Sequence, residues 1–184
     1  MYQYALPILN ERAGTGNPFF SVLLSISNHP PYVIPPYFHP HSDVLEEQIV
    51  EYADWSIRQF MQAAEKQPWF DNTIFVFLGD HGKMVGTPEC EMPQSYNHIP
   101  LMIYGKDIKP GVYDGFGGQV DVSPTLLGLL NISYLQNNFG VNLLEEERPC
   151  MFVTADNLIG ARDSVNMFIY SPDSQQAVSY THLT

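Results

Sequence analysis

The sequence predicts an α/β protein in which helices flank a largely parallel sheet. Three short, continuous apolar runs, at 19–27, 73–78 and 99–104, are typical of strands that are buried on both faces. Between the first two runs, apolar residues recur at helical spacing over 43–66. This alternation of strand and helix is the pattern of proteins built around a parallel sheet.

The first strand and the first helix have clear boundaries. The run 19–27 stops at Asn28, and several prolines then keep the chain extended as far as His41. Ser42 or Asp43 can cap the helix, with Glu46 as the capping-box partner three residues beyond Asp43, and Pro68 prevents the helix from continuing. The apolar face of this helix consists of Leu45, Ile49, Ala53, Ile57, Phe60, Met61 and Ala64.

The second half of the chain continues the alternation. A loop rich in glycine and proline covers 82–97, and a helix is predicted over 121–130, with Asp121 as its N-cap. The segments 150–155 and 166–170 are predicted strands. At 184 residues the whole chain, 1–184, fits a single domain with a substantial core.

Composition excludes some classes of partner. The chain has 8 basic and 20 acidic residues and a formal net charge of −12, which disfavours nucleic acid and anionic membrane surfaces as partners. If the substrate is anionic, a bound metal ion is the obvious source of positive charge.

Two further sequence features concern disulfides and membranes. Cys90 and Cys150 are either free or joined in one bridge, and the sequence leaves both alternatives open. No apolar run approaches the roughly 20 residues that a membrane span requires, and no signal-peptide pattern follows Met1. We therefore expect this chain to be soluble and without a membrane span.

The candidate metal ligands follow the second predicted strand. Ligands of open α/β sheets bind outside the carboxyl ends of the strands, where Asp80 and His81 lie. The flanking glycines, Gly79 and Gly82, allow both side chains to converge on one point. A carboxylate oxygen and an imidazole nitrogen suit Zn²⁺ or Mn²⁺. The alternative is a turn in which Asp80 caps local backbone N–H groups and His81 is merely exposed.

Two other histidines lie near strand ends. His29 follows the first predicted strand, and His98 precedes the third. Each also has an interpretation without a ligand. His29 would then be a histidine in a proline-rich turn, and His98 would be a solvated loop residue. The shared position on one rim of the sheet favours a role for both in binding a ligand.

One glycine-rich loop precedes the helix at 121–130. The run from Gly115 to Val120 has the spacing of a dinucleotide-binding loop, but Val120 occupies the place of the third glycine. It also lacks a clear strand immediately before it. A dinucleotide cofactor is therefore not predicted.

Five motifs occur in an order that resembles a known family. They are SVLLSISNHPPY, YADWSIRQFMQ, DNTIFVFLGDHG, NHIPLMIYG and GGQVDVSPTLLGLLNI, and together they lie within 19–144. The chain thereby resembles the sulfatase-like branch of the alkaline phosphatase superfamily. Within it, the nearest resemblance is to lipoteichoic-acid-synthase-like phosphoglycerol transferases and to phosphoethanolamine transferases.

The resemblance implies roles for the candidate residues. Asp80 and His81 match the pair that binds the catalytic divalent metal, expected here to be Mn²⁺ or Zn²⁺ rather than Mg²⁺ or Ca²⁺. His29 matches the histidine that contacts the phosphate group of the substrate. His98 matches a histidine that binds phosphate or a second metal in some branches.

The departure from the family pattern concerns the nucleophile. The family's Thr, Ser or modified Cys nucleophile and an acidic metal ligand both lie upstream of the position of Phe19, and Thr15 does not follow a predicted strand. We therefore expect no catalytic nucleophile here, a fold of the alkaline phosphatase and sulfatase type that is incomplete at its N-terminal side, and weak or absent metal. The chain would be the C-terminal portion of a sulfatase-like catalytic domain.

The implied function is part of a metal-dependent transferase or ester hydrolase acting on cell-envelope substrates. Its substrate would be an anionic ester, such as a phospholipid head group or a sulfate ester. The parent protein would be membrane-anchored with an extracytoplasmic catalytic domain, and an exposed sheet edge would favour self-association of this chain. The main alternative is a non-catalytic binding or structural fragment of a degenerate relative.

Overall fold

A computed structural model describes residues 1–84 and 86–181, so His182 lies outside the described residues. The chain forms two compact units. One contains Met1–Phe75 and Ile103–Ile108, and the other contains Val76–Met102 and the residues from Lys109 onward. The expectation of a single domain over 1–184 stays a prediction.

The first unit is built on two helices. α1 spans Tyr2–Gly14 and was not predicted from the sequence, whereas α2 spans Leu45–Ala64 and confirms the predicted helix over 43–66. The buried residues of α2, namely Ile49, Phe60 and Ala64, belong to the apolar face that the periodicity predicted. Thr15 caps the C-terminus of α1, in agreement with the expectation that it does not follow a strand.

An aromatic cluster completes the core of this unit. A short 3₁₀ helix at Phe70–Asn72 leads into Phe75, which is buried. The Phe75 ring packs against four other aromatic rings at centroid distances of 5.2–6.4 Å, those of Phe60, Trp69, Phe70 and Tyr104.

The predicted strand at 19–27 is wrong. This segment has no strand assignment, and the side chains of Phe20, Val22, Leu24 and Ile26 are all exposed. A strand exists only where a neighbour supplies the other half of its hydrogen-bond ladder. No partner strand pairs with this segment among the described residues.

The predicted strands at 73–78 and 99–104 are confirmed as shorter elements. β1 spans Phe75–Leu78 and β2 spans Leu101–Tyr104, and the two form a two-stranded sheet. The predicted loop between them contains a single helical turn, α3, at Gln94–Asn97.

The predicted helix at 121–130 begins earlier than expected. α4 spans Gln119–Leu129, so its N-cap is Gly118 and Asp121 is the third helical residue. Asp121 still caps the helix, because its carboxylate accepts a hydrogen bond from the Gly118 N–H at 2.9 Å.

A four-stranded antiparallel sheet forms the C-terminal part of the second unit. Its strands pair in chain order as β3–β4–β5–β6, and every pair is antiparallel. The bounds are Met151–Ala155, Leu158–Arg162, Asn166–Ser171 and Gln176–Thr181. The expectation of a largely parallel sheet is therefore not met by the described strands.

The short connections explain this correction. Parallel neighbours require a crossover of about a dozen residues or more, whereas a two-residue turn can join antiparallel strands. Asp156 and Asn157, with φ of 42° and 63°, make such a turn between β3 and β4. The predicted strands at 150–155 and 166–170 are confirmed as β3 and β5, but β4 and β6 were missed.

The sheet packs against part of the loop that precedes β2. Cys90, Met92, Met167 and Ile169 form a buried cluster, and Val153, Ala155, Leu158 and Tyr180 pack around it. Cys90 and Cys150 are both free, which answers the question that the sequence left open. Within the described ranges, no helix combines the length and the apolar character of a membrane span.

Candidate metal centre

Asp80 and His81 lie immediately beyond β1, as the sequence predicted. Oδ2 of Asp80 is 3.9 Å from Nε2 of His81, and 79% and 51% of their respective side chains are exposed. Oxygen and nitrogen ligands each lie about 2.0–2.2 Å from a bound Zn²⁺, so two ligands of a tetrahedral site are about 3.4 Å apart. The pair fits a shared divalent metal by donor type, and its separation is about 0.5 Å longer than this value.

The hydrogen bond at Nδ1 fixes the form of the His81 ring. Nδ1 lies 2.8 Å from the carbonyl oxygen of Gly82, which can only accept, so Nδ1 carries the proton. In the neutral ring, the lone pair is then on Nε2, the atom nearest to Asp80. Metal-binding histidines commonly use their second nitrogen in this way.

Tyr96 supports the same ring from one face. The Tyr96 and His81 rings are stacked, with centroids 5.0 Å apart and planes inclined by 19°. The carbonyl oxygen of Tyr96 accepts a hydrogen bond from the Gly82 N–H at 2.8 Å. The side chain and the backbone of Tyr96 thus both contact the segment that carries His81.

The carboxylate of Asp80 has a second contact within the turn. Its Oδ1 accepts a hydrogen bond from the backbone N–H of His81 at 2.9 Å. This is the local capping contact that the sequence suggested as the alternative to metal binding. The two roles are compatible, because the cap uses Oδ1 and leaves Oδ2 facing the imidazole.

Gly82 is required by a close approach of two backbone segments. A Cβ at this position would lie 2.1 Å from the carbonyl oxygen of Ser95. Neither Gly79 nor Gly82 has a positive φ. The turn therefore does not need the conformational freedom that the sequence led us to expect. It needs the absence of a side chain at Gly82.

Gln119 is the residue of this site that the sequence did not reveal. Its side-chain Nε2 donates to the carbonyl oxygens of Gly79 at 3.1 Å and of Asp80 at 2.8 Å. The glycine-rich run Gly115–Val120, which lacks the third glycine of a dinucleotide loop, instead places this amide beside the backbone of the candidate metal ligand Asp80.

A buried ion pair anchors the helix that carries Gln119. The Asp121 side chain is fully buried, and it accepts hydrogen bonds from Arg148 at 2.6–2.8 Å and from the Val141 N–H at 2.8 Å. Burial acts to raise the pKa of Asp121, but Arg148 and the backbone amides outweigh it and leave the pKa below its usual range. The same contact with Asp121 raises the pKa of Arg148.

His98, another predicted site residue, belongs to the same unit as this pair. His98 is exposed and directly follows α3, where its backbone N–H donates to Gln94. No group of three or more His, Cys, Asp or Glu side chains suited to a metal exists in the ranges 1–84 and 86–181. Asp80 and His81 are therefore two candidate ligands, and the described part of the chain offers no third one beside them.

His29 belongs to the first unit. It is exposed and follows the segment 19–27, and its Nδ1 lies 2.9 Å from the carbonyl oxygen of Pro30. A carbonyl oxygen only accepts, so Nδ1 is the donor and Nε2 is the free ring nitrogen.

An apolar cavity of about 560 Å³ lies elsewhere in the second unit. It is lined by Val120, Phe139, Arg148, Met151 and Phe152. The charged group of Arg148 is paired with the Asp121 carboxylate. None of the predicted site residues lines it, so the candidate chemistry does not coincide with this cavity.

A family model described as Sulfatase matches residues 1–132, which is most of the chain. The match contains Asp80, His81, His29 and His98.

Several relatives are similar in sequence. Lipoteichoic acid synthase 1 of Bacillus subtilis is 26% identical over 185 residues, covering 83% of this chain and 28% of that protein. Choline-sulfatase of Rhizobium meliloti is 29% identical over 121 residues, covering 58% of this chain and 22% of that protein. The chain therefore spans less than a third of the length of either relative.

Solved structures share the fold. A protein in the alkaline phosphatase superfamily from Vibrio parahaemolyticus superimposes with a TM-score of 0.83 at 25% identity, covering 97% of this chain and 48% of that one. A 2-O GAG sulfatase gives a TM-score of 0.59 at 17% identity, covering 74% and 35% of the two chains. The first match confirms the predicted fold type of the alkaline phosphatase and sulfatase group.

Proposed function

The chain belongs to the sulfatase family, and from this membership we propose that it carries part of the metal centre of an enzyme acting on phosphate or sulfate esters. The single observation that carries the proposal is the separation of 3.9 Å between Asp80 Oδ2 and His81 Nε2. Its support is chemical, because the hydrogen bond to Gly82 leaves the Nε2 lone pair available for a metal.

The proposed roles follow the chemistry of each side chain. Asp80 and His81 would hold Mn²⁺ or Zn²⁺, and a bound metal would activate a hydroxyl nucleophile and offset the charge of the transferring group. His29 and His98 would donate hydrogen bonds to the oxygens of that group. Because Nδ1 of His29 already donates to Pro30, its Nε2 can donate only when the ring is protonated.

The nucleophile is proposed to lie outside these 184 residues. The chain spans 28% of lipoteichoic acid synthase 1 and 48% of the solved structure from Vibrio parahaemolyticus, so much of each lies outside the match. A catalytic Zn²⁺ site usually has three protein ligands, and the described residues offer two. The 184-residue chain alone would then bind metal weakly and catalyse no turnover.

We favour a transferase of phosphoglycerol or phosphoethanolamine type over a hydrolase. The match to lipoteichoic acid synthase 1 covers more of this chain than the match to choline-sulfatase, at 83% against 58%. In a transferase, the phosphoryl or sulfuryl group would pass to the nucleophile with release of the donor's alcohol, and then to an acceptor alcohol with release of the nucleophile. In a hydrolase, water would take the place of the acceptor alcohol. The choline-sulfatase match keeps a sulfatase as the second candidate.

The setting of the parent protein is part of the proposal. A phosphoglycerol-type transferase would use lipid head groups of the cell envelope, and its catalytic domain would be membrane-anchored and extracytoplasmic. The non-catalytic alternative, a degenerate binding or structural fragment, predicts no metal affinity at Asp80 and His81.

The test is metal binding by the Asp80→Asn variant. We expect the 184-residue chain to bind Mn²⁺, measured as loss of the free-ion signal in electron paramagnetic resonance, and Asp80→Asn to lose most of this affinity. Asp114→Asn removes another exposed carboxylate of the same unit and should bind Mn²⁺ as the parent does. Equal Mn²⁺ binding by Asp80→Asn and the parent would contradict the proposal.

A further inference from the structure

We infer that Gln119 is a positioning residue that fixes the direction of the metal ligand Asp80. This inference rests on the proposed metal centre and adds a residue that lies 39 positions away from Asp80 in the chain. Gln119 contacts the site through its side-chain amide, so a substitution can remove the contact without altering either metal ligand.

The argument begins with the two carbonyls that the amide holds. The carbonyl of Gly79 belongs to the peptide unit before the Asp80 Cα, and the carbonyl of Asp80 belongs to the unit after it. Peptide units are planar, so holding the two units that flank one Cα fixes φ and ψ of that residue. The Cα–Cβ direction of Asp80 is thereby fixed by a single side chain.

Among the described residues, the other contacts near Asp80 are few, and one of them is the bond from the Gly79 N–H to the Pro100 carbonyl at 3.3 Å. With 79% of its side chain exposed, its carboxylate is not confined by packing. The hydrogen bond from the His81 N–H to Oδ1 is local and moves with the turn. The two Gln119 hydrogen bonds are the contacts that tie the Asp80 backbone to a separate element, α4.

Gln119 itself is held in a rigid setting. It is the first residue of α4, directly after the N-cap Gly118, whose N–H is bound by the Asp121 carboxylate. Asp121 is bound in turn by Arg148, which has 15% of its side chain exposed. A buried ion pair therefore fixes the end of the helix from which the Gln119 side chain extends.

We expect the two Gln119 hydrogen bonds to hold Asp80 in its metal-binding orientation before the metal binds. Residues that orient metal ligands typically contribute about 10- to 100-fold to metal affinity. Without the amide, Asp80 must be ordered when the ion binds, so the affinity falls and the geometry of the bound ion becomes less uniform.

The test uses Gln119→Met, which keeps the length of the side chain but cannot donate a hydrogen bond. We expect Mn²⁺ affinity to fall by about 10-fold or more, and the electron paramagnetic resonance spectrum of bound Mn²⁺ to broaden as its ligand geometry varies. Gln67→Met is the matched control, since Gln67 also donates its side-chain amide to a backbone carbonyl, that of Ala63 at 3.1 Å. It should change neither measurement.

A double variant separates positioning from general damage. Gln119→Met should add nothing further in an Asp80→Asn background, because the ligand that it orients is already lost. If Asp80→Asn loses Mn²⁺ while Gln119→Met keeps the parent affinity and spectrum, the inference is overturned and the proposed metal centre stands. If the parent binds no Mn²⁺ through Asp80, the metal centre is wrong and the inference falls with it.

Discussion

At the scale of single residues, the turn after β1 is held by contacts from two segments that are distant in sequence. The Gln119 amide binds the carbonyls of Gly79 and Asp80, and the backbone of Tyr96 binds Gly82. The Tyr96 ring also lies flat against His81. These contacts leave one oxygen of Asp80 and one nitrogen of His81 facing each other, as a shared ion requires.

Gly82→Ala is expected to damage this site more than an ordinary glycine substitution would. The added Cβ would lie 2.1 Å from the carbonyl oxygen of Ser95, so the turn or the segment at Ser95 must move. Because that movement breaks the contact between Gly82 and Tyr96, we expect at least 10-fold weaker Mn²⁺ binding, measured by titration.

Gly111→Ala provides the control for this substitution. Nothing lies within 4 Å of a Cβ built on Gly111, and its φ is not positive. The control should bind Mn²⁺ as the parent chain does. Unchanged Mn²⁺ affinity in Gly82→Ala would mean that the close approach to Ser95 does not fix the turn.

The sequence predicted the ligands of the candidate site but not the residues that orient them. Asp80 and His81 are adjacent and directly follow an apolar strand, so local pattern was sufficient to find them. Gln119 acts across 39 and 40 positions through a side chain that has no characteristic pattern in sequence. Such a contact depends on how the elements pack, which local propensity does not specify.

At the scale of elements, α4 depends on an ion pair that joins it to a distant loop. Asp121 lies in the first turn of α4, and Arg148 is 27 residues further along the chain. The sequence predicted that Asp121 would cap this helix, but it did not predict its buried partner. The strands show that local pattern is likewise insufficient. Apolar patterns in the sequence located β1, β2, β3 and β5, but which strands pair, and in which direction, depends on the connections between them.

Arg148→Met is expected to destabilise the protein strongly. It leaves the fully buried Asp121 carboxylate without its charged partner, and breaking a buried pair on one side costs about 3–5 kcal/mol. The free energy of unfolding from urea titration measures this loss. Arg58→Met removes one partner of the exposed pair with Asp54 and should change that free energy by less than about 1 kcal/mol.

The same pair predicts how stability depends on pH. The folded-state pKa of Asp121 lies below its ordinary value of 3.8, so its contribution is complete above that value and is lost as the pH falls through the lower, folded-state pKa. Asp121→Asn should therefore be less stable than the parent near neutral pH, with the difference shrinking in acid. Urea titrations at several pH values measure this, and a difference that grows in acid would contradict it.

At the scale of the whole molecule, the segment 19–27 is the main mismatch between sequence pattern and structure. Its side chains at Phe20, Val22, Leu24 and Ile26 alternate with their neighbours, as they would on one face of a strand, and are 72–85% exposed. The match to a solved chain covers 97% of this protein but 48% of that structure. We therefore expect that further strands of a longer protein cover this face.

For the 184-residue chain alone, this exposed face predicts self-association. An extended apolar segment without a paired neighbour is a template for another strand, and here the second strand would come from another copy of the chain. Sedimentation velocity at rising protein concentration should reveal larger species, and the double variant Val22→Lys/Leu24→Lys should reduce them because it places charges on the pairing face. Val112→Lys, at a valine that is 86% exposed in the other unit, should leave association unchanged. A chain that stays monomeric at every concentration, or that responds equally to Val112→Lys, would show that 19–27 is not the associating surface.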